Sequence, residues 1–246
     1  MKKQIKTIRF FSAMILAAGL SLCATACKKD GTGSLSASAT VTEADAAEMT
    51  TDAITPATGG MVTQLNSSVT IYKTVSLSCG VQKDSAIIKS SISGATPSYN
   101  YSLSWNYMLT CNGIIPVQLA FNFSGAANYG GLRMSSTDNS TGGFLMTGLQ
   151  LSSAQYLFNA TYKRTGTTIS KIGNQNTFNS TITITGASIA IDKSSLEIVS
   201  GSASVNISAT SSSGKSFTFN GSITFLGSKK ANLVLNSGVS YVIQWT

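Results

Sequence analysis

The sequence predicts an all-β domain, an antiparallel sandwich or curved meander of about 10–13 strands. Three observations carry that expectation. Large apolar residues alternate with polar ones at period two over most of the chain beyond residue 60, the mark of half-buried strands. Turn-forming clusters rich in Gly, Asn and Ser punctuate those runs at short intervals. Glycines recur inside three successive runs, at Gly186, Gly201 and Gly221, where a strand glycine marks a bulge or bend.

Taken in order, the first run places Val69, Ile71, Val75, Leu77, Cys79 and Val81 on one parity. Tyr99, Tyr101, Leu103, Trp105, Tyr107, Leu109 and Cys111 share the next, which puts these aromatics in the core. Ile115, Val117, Leu119, Phe121 and Phe123 follow, and later Phe217, Phe219, Ile223 and Phe225. Val239, Tyr241, Ile243 and Trp245 form the last run. Turns are expected at Cys111-Asn112-Gly113, Ser124-Gly125, Thr141-Gly142-Gly143, Lys163 to Gly166, Asp192 to Glu197, Ser213-Gly214-Lys215, Gly227 to Lys230 and Asn236-Ser237-Gly238. Residues 61–246 read as one β-domain; two small sandwiches divided near Gly173 to Asn176 are the alternative.

Residues 27–60 are poor in large side chains and carry Asp30, Glu43, Asp45, Glu48 and Asp52. Such a stretch buries too little apolar surface to offset chain entropy. It reads as an acidic flexible tether, with a marginal short helix around Thr42 to Thr51.

The N-terminus has the order of a secretion signal. Basic residues (Lys2, Lys3, Lys6, Arg9) precede an apolar run from Phe10 to Leu22, and small residues Ala24-Thr25-Ala26 follow. The run is about 13 residues, short of the roughly 20 that a membrane-spanning helix needs. Residues 1–26 are therefore expected to be removed as a signal peptide. Ala24-Thr25-Ala26-Cys27 resembles the processing site of bacterial lipoproteins. The resemblance implies cleavage before Cys27 and acylation of its sulfur, which would hold the chain on a bilayer through its N-terminal acyl chains. Lys28 stands where Asp would cause inner-membrane retention, so the implied address is the outer membrane, on its periplasmic face or at the cell surface. An ordinary signal peptidase would cut the same bond and leave a free thiol.

The leader holds four of the 17 basic residues and none of the nine acidic ones, so its removal lowers the formal charge from +8 to about +4. With Cys27 acylated, Cys79 and Cys111 remain as a pair. In an oxidising compartment a disulfide is expected between them, worth about 3–4 kcal/mol in the chain-entropy picture.

The chain contains no histidine, which removes Ser-His-Asp and Cys-His chemistry and the commonest metal ligand. No phosphate-cradling glycine motif or metal-ligand spacing appears, so no cofactor and no metal are expected. Basic clusters are too small for nucleic acid. Asp138, Asp192 and Glu197 are the acids a carboxylate hydrolase could use, and Asp138 to Gly143 has the oxygen content of a calcium loop. Tyr72, Tyr129 and Tyr162 are the aromatics expected to be exposed. The function expected is that of a non-enzymatic binding, adhesion or structural module with a cell-surface glycan or envelope protein as partner. A carboxylate-dependent polysaccharide hydrolase and an outer-membrane β-barrel are the alternatives.

Overall fold

Ten antiparallel strands follow one another across a single open sheet, so that each strand lies beside its sequence neighbours. The computed structural model describes residues 41–172 and 175–245. The signal, Cys27 and the first part of the expected tether lie outside the described residues. The strands are β1 (Gln82–Ser90), β2 (Ser98–Asn112), β3 (Ile115–Gly130), β4 (Met134–Thr147), β5 (Gln155–Ser170), β6 (Thr177–Asp192), β7 (Ile198–Ser211), β8 (Ser216–Gly227), β9 (Lys230–Leu235) and β10 (Ser240–Gln244). The expected meander, and its strand number, are what the structure shows. β5 and β6 pair along most of their length, so the strands before and after Gly173 to Asn176 belong to one sheet rather than to two sandwiches.

The inner face of the sheet is apolar and covers two helices, α1 (Glu43–Ile54) and α2 (Met61–Thr74), joined by a 3-10 turn at Pro56–Thr58. Here the structure departs from the sequence reading. Residues 41–60 are largely core, and residues 61–74 are helix rather than strand. α1 is nucleated by a capping box: the Asp45 amide donates to Thr42 Oγ1 at 3.1 Å, and the Thr42 amide to Asp45 Oδ2 at 2.9 Å. Its small apolar residues fall at helical spacing, Ala46, Met49, Ala53 and Ile54, and all are buried. In α2, Val69 and Ile71 happen to alternate, but Met61, Leu65 and Val69 recur every fourth residue and form the buried stripe. Alanine and threonine content made the segment look thin. The sheet's inner face supplies the apolar surface that α1 lacks on its own.

The sheet wraps this helical segment. Tyr101 of β2 packs beside Gly59, Met61 lies beside Gly186 of β6, and Trp245 after β10 shares a groove with Val62. The expected bend also appears: pairing between β6 and β7 slips at Ala187 to Ala190, next to Gly186.

Several expected turns are instead strand interior. Thr141-Gly142-Gly143 lies within β4, Ser124-Gly125 within β3, and Lys163 to Gly166 within β5. The reason is space. A Cβ on Gly142 would run into the Thr161 carbonyl and the Phe123 ring, and one on Gly166 into the Thr137 carbonyl and the Asp138 carboxylate. Phe123 uses that room to stack on Phe144 and Tyr162, with ring centroids at 5.0 and 5.7 Å.

Cys79 and Cys111 form the expected disulfide, with Cα atoms 5.6 Å apart. It sits at the end of β2 rather than in the core: Cys79 is exposed and Cys111 half-buried. It pins the connection between α2 and β1 to the sheet edge, where Cys79 also bridges Leu109 through the backbone.

Candidate functional site

The outward face of the sheet is a field of hydroxyl and carboxamide side chains in register. One row crosses seven strands as Ser104, Ser124, Thr141, Lys163, Thr183, Asn206 and Asn220. Another runs Asn100, Asn128, Thr137, Thr167, Asn179, Thr210 and Ser216. Period-two alternation sends every second residue outward, and strands about 4.8 Å apart align them. Neighbours tie together across strands. Ser104 and Ser124 hydroxyls meet at 2.9 Å, Thr137 donates to Asn128 Oδ1 at 3.0 Å, Thr167 to Asn179 Oδ1 at 2.9 Å, and Asn206 Nδ2 to Asn220 Oδ1 at 2.5 Å. A hydroxyl or carboxamide used once still has donor or acceptor capacity for the solvent side.

Two shallow grooves cross this face. One of about 390 Å³ runs along Ser98, Asn100, Asn128, Thr137, Thr167 and Ile169. The other, of about 440 Å³, runs along Thr165, Thr167, Asn179, Thr181, Ser208, Thr210 and Thr218. Thr167 belongs to both, so the two form one continuous track.

A charged cluster lies on the opposite, inner face. Arg164 of β5 is 3% exposed. Its Nη2 donates to Asp138 Oδ2 at 2.6 Å and to Ser136 Oγ at 3.3 Å, and its Nη1 donates to the Asp52 main-chain carbonyl at 2.6 Å. That carbonyl is in the last turn of α1, where positive charge is favoured by the helix dipole. Thr58 Oγ1 donates to the same carbonyl. The Asp52 carboxyl is also buried, and burial pushes it up to about 7; the Arg164 guanidinium opposes this, while Glu48 and Asp138 add to it. Burial likewise raises the Tyr162 phenol. One cation thus faces two carboxyl groups, and protonation of Asp52 below about pH 7 leaves Arg164 and Asp138 as a neutral pair. Arg133 and Glu48 make a longer ion pair, 3.6 Å, nearer the rim.

The structure distributes the sequence-predicted residues as follows. Asp138 is an ion-pair partner inside β4, and Asp138 and Ser140 point inward while Asn139 and Thr141 point outward, so this stretch does not form a calcium loop. Asp192 is in the expected β6–β7 turn, where the Ser194 hydroxyl and the Ser195 and Ser194 amides hold its carboxyl down to about 2. Glu197 closes the same turn through its carbonyl, which accepts from the Asp192 amide at 3.0 Å. Asp84 lies on the outer face and accepts from Asn106 at 3.1 Å. Tyr101, Trp105 and Tyr107 are core, as expected. Tyr162 is not exposed but fully buried beneath the helices, and Tyr72 is half-buried edge-on against Tyr156.

Sequence reasoning missed the role of Arg164. The signal was present: Phe158, Ala160, Tyr162 and Arg164 share one parity of β5, which places the arginine on the apolar face. Asp52 gave no such signal, because its segment lacked a strong apolar period.

Comparison with protein-family models, with curated proteins and with solved structures finds no match to this chain.

Proposed function

We propose that this chain is a lipid-anchored lipoprotein of the bacterial outer membrane whose β-domain binds a neutral glycan without turning it over. The observation that supports this is the outer face: the aligned row from Asn100 to Ser216 holds only uncharged donors and acceptors and runs along the two grooves. Sugar hydroxyls both donate and accept, and a surface of Ser, Thr and Asn matches them without a charged ligand. The same rows favour this reading over a membrane barrel, whose outward face must be apolar. They favour it over carboxylate hydrolysis as well, since Asp138 is committed to Arg164 and Asp192 to its own turn. The anchor follows from the lipoprotein-like residues ending at Cys27.

Two experiments test the reading. A panel of neutral polysaccharides should yield one that binds, and Thr167→Ala with Asn179→Ala should weaken it about tenfold or more, as expected for two lost polar contacts. Absence of binding across the panel would remove the glycan proposal. Fatty-acid labelling of the full-length chain should be lost with Cys27→Ser; equal labelling would remove the anchor.

A further inference from the structure

The open sheet leaves two edges, β1 and β10, each with a neighbour on one side only. The two are unlike. β10 is five residues long, carries the buried Ile243, and leads into Trp245, whose ring packs on Phe225. A very short edge is a poor template for another strand. β1 is nine residues long, pairs with β2 without a bulge and contains no proline. Among the described strands it is the one with no buried residue. The unused main-chain groups of β1 follow from its pairing. The Ser91 amide donates to the Tyr99 carbonyl at 2.8 Å, in the register that runs from Gln82–Met108 to Ser90–Asn100. Alternation then gives the odd-numbered residues to β2, and turns the N–H and C=O of Asp84, Ala86 and Ile88 away from the sheet. No other described residue bonds to these groups.

The side chains change at the same edge. Level with Asp84, Ala86, Ile88 and Ser90, the outward positions of β2 to β8 are Ser, Thr or Asn, apart from Ala126, Gly143 and Lys163. On β1 two of these positions are apolar, Ala86 and Ile88, and Ile88 is 78% exposed. A second copy of the chain matches this edge. Antiparallel pairing of β1 with itself, about a two-fold axis at Ile87, sets Ile87 against the partner's Ile87 on the inner face, where Ile87 already packs on the core. On the outer face it sets Ile88 against the partner's Ala86. The even-numbered residues, whose main-chain groups are unused, become the hydrogen-bonded pairs. Lys83 then faces Ser91, Asp84 faces Ser90 and Lys89 faces Ser85, so no like charges stand directly opposite. An axis at Ala86 would set Lys83 against Lys89, which is unfavourable.

We propose that β1 pairs with β1 of a second copy, about a two-fold axis at Ile87, so that two sheets join into one. Such a contact closes on itself, whereas β1 on β10 of the next copy would add chains without end. The main-chain ladder supplies most of the contact and the aliphatic residues cover its two faces. An interface of one strand per copy is small, so the dimer is a concentration-dependent one. Pairing leaves the polar rows of β2 to β8 uncovered and places two of these faces side by side.

The test uses the chain from residue 28 onward, which keeps the whole core, because all buried core residues lie between Val41 and Ile243. Its only cysteines are the bridged Cys79 and Cys111. Sedimentation over a series of concentrations should show a monomer–dimer equilibrium. Ala86→Pro removes an N–H that the chain's own sheet does not use, and Ile88→Lys puts a charge on each side of the axis. Each should weaken association about tenfold or more. Val242→Lys, on the β10 edge, should leave it unchanged. All three positions are exposed, so an unchanged thermal melt reports that each variant is folded. Mild oxidation of Ile87→Cys should link two copies, because a non-hydrogen-bonded pair sets its Cα atoms about 4.5 Å apart, within disulfide reach. Ser90→Cys should stay unlinked, since this register holds its two copies about 20 Å apart. A monomer at every concentration overturns the inference. So does a dimer that survives both Ala86→Pro and Ile88→Lys, one that is lost with Val242→Lys, or linking of Ser90→Cys as fast as Ile87→Cys.

Discussion

Arg164 reaches across 112 residues of sequence to donate to the main-chain carbonyl of Asp52, at 2.6 Å, inside the core. This contact joins the last turn of α1 to the centre of the sheet. The same guanidinium holds Asp138, so helix and sheet share one buried cation.

Arg164→Met should therefore destabilise the domain by about 3–5 kcal/mol, because it leaves the Asp138 carboxylate buried without a partner. Adding Asp138→Asn should recover part of that loss. Urea unfolding of the two variants measures both values. A single-variant change below about 1 kcal/mol would mean that the cluster does not hold the helix.

The Asp52 carboxyl makes stability depend on pH. Its value is about 7 in the fold, against an ordinary 3.8. The folded state thus binds an extra proton between roughly pH 4 and pH 7. The contribution is fully present below pH 4 and is lost as pH rises through 7, over a span on the order of 4 kcal/mol. Asp52→Asn should flatten the unfolding midpoint across this window. A variant whose midpoint still falls with the native slope would assign the dependence elsewhere. Asp192, held low, acts only below pH 4, with the opposite sign.

Thr42→Ala should cost about 1 kcal/mol through loss of the capping box. Limited proteolysis should leave residues 43–74 uncut in the native state and open them first in the variant. Rapid native cleavage within that stretch would restore the picture of a loose tether.

Reduction of Cys79–Cys111, or Cys79→Ser with Cys111→Ser, should lower stability by about 3–4 kcal/mol. Since the bridge ties the α2–β1 connection to β2, amide exchange should rise in β1 before the rest of the sheet. Uniform acceleration across all strands would argue against that local role.

The strands were legible because burial on one face writes itself as alternation, and the Cys79 and Cys111 pairing followed from elimination. The helices were not. Val69 and Ile71 read as alternation, and the helical spacing in α1 is faint because its buried side chains are mostly Ala and Thr. Glycine misled at Gly142 and Gly166, where it makes room for a neighbour rather than a turn. The polar parity of the outer rows was readable from alternation, yet their alignment depends on register, which only pairing reveals. Arg164 shows the reverse: its parity was readable, and its partner in α1 was not.

The chain-order meander has a consequence for biogenesis. A polypeptide synthesised N-terminus first delivers α1 long before β4 and β5 exist to receive it. The hairpins can zip up one after another as they emerge, each on its predecessor. The first-delivered segment must wait until more than a hundred later residues have followed, and Arg164 is the latch that ends its wait.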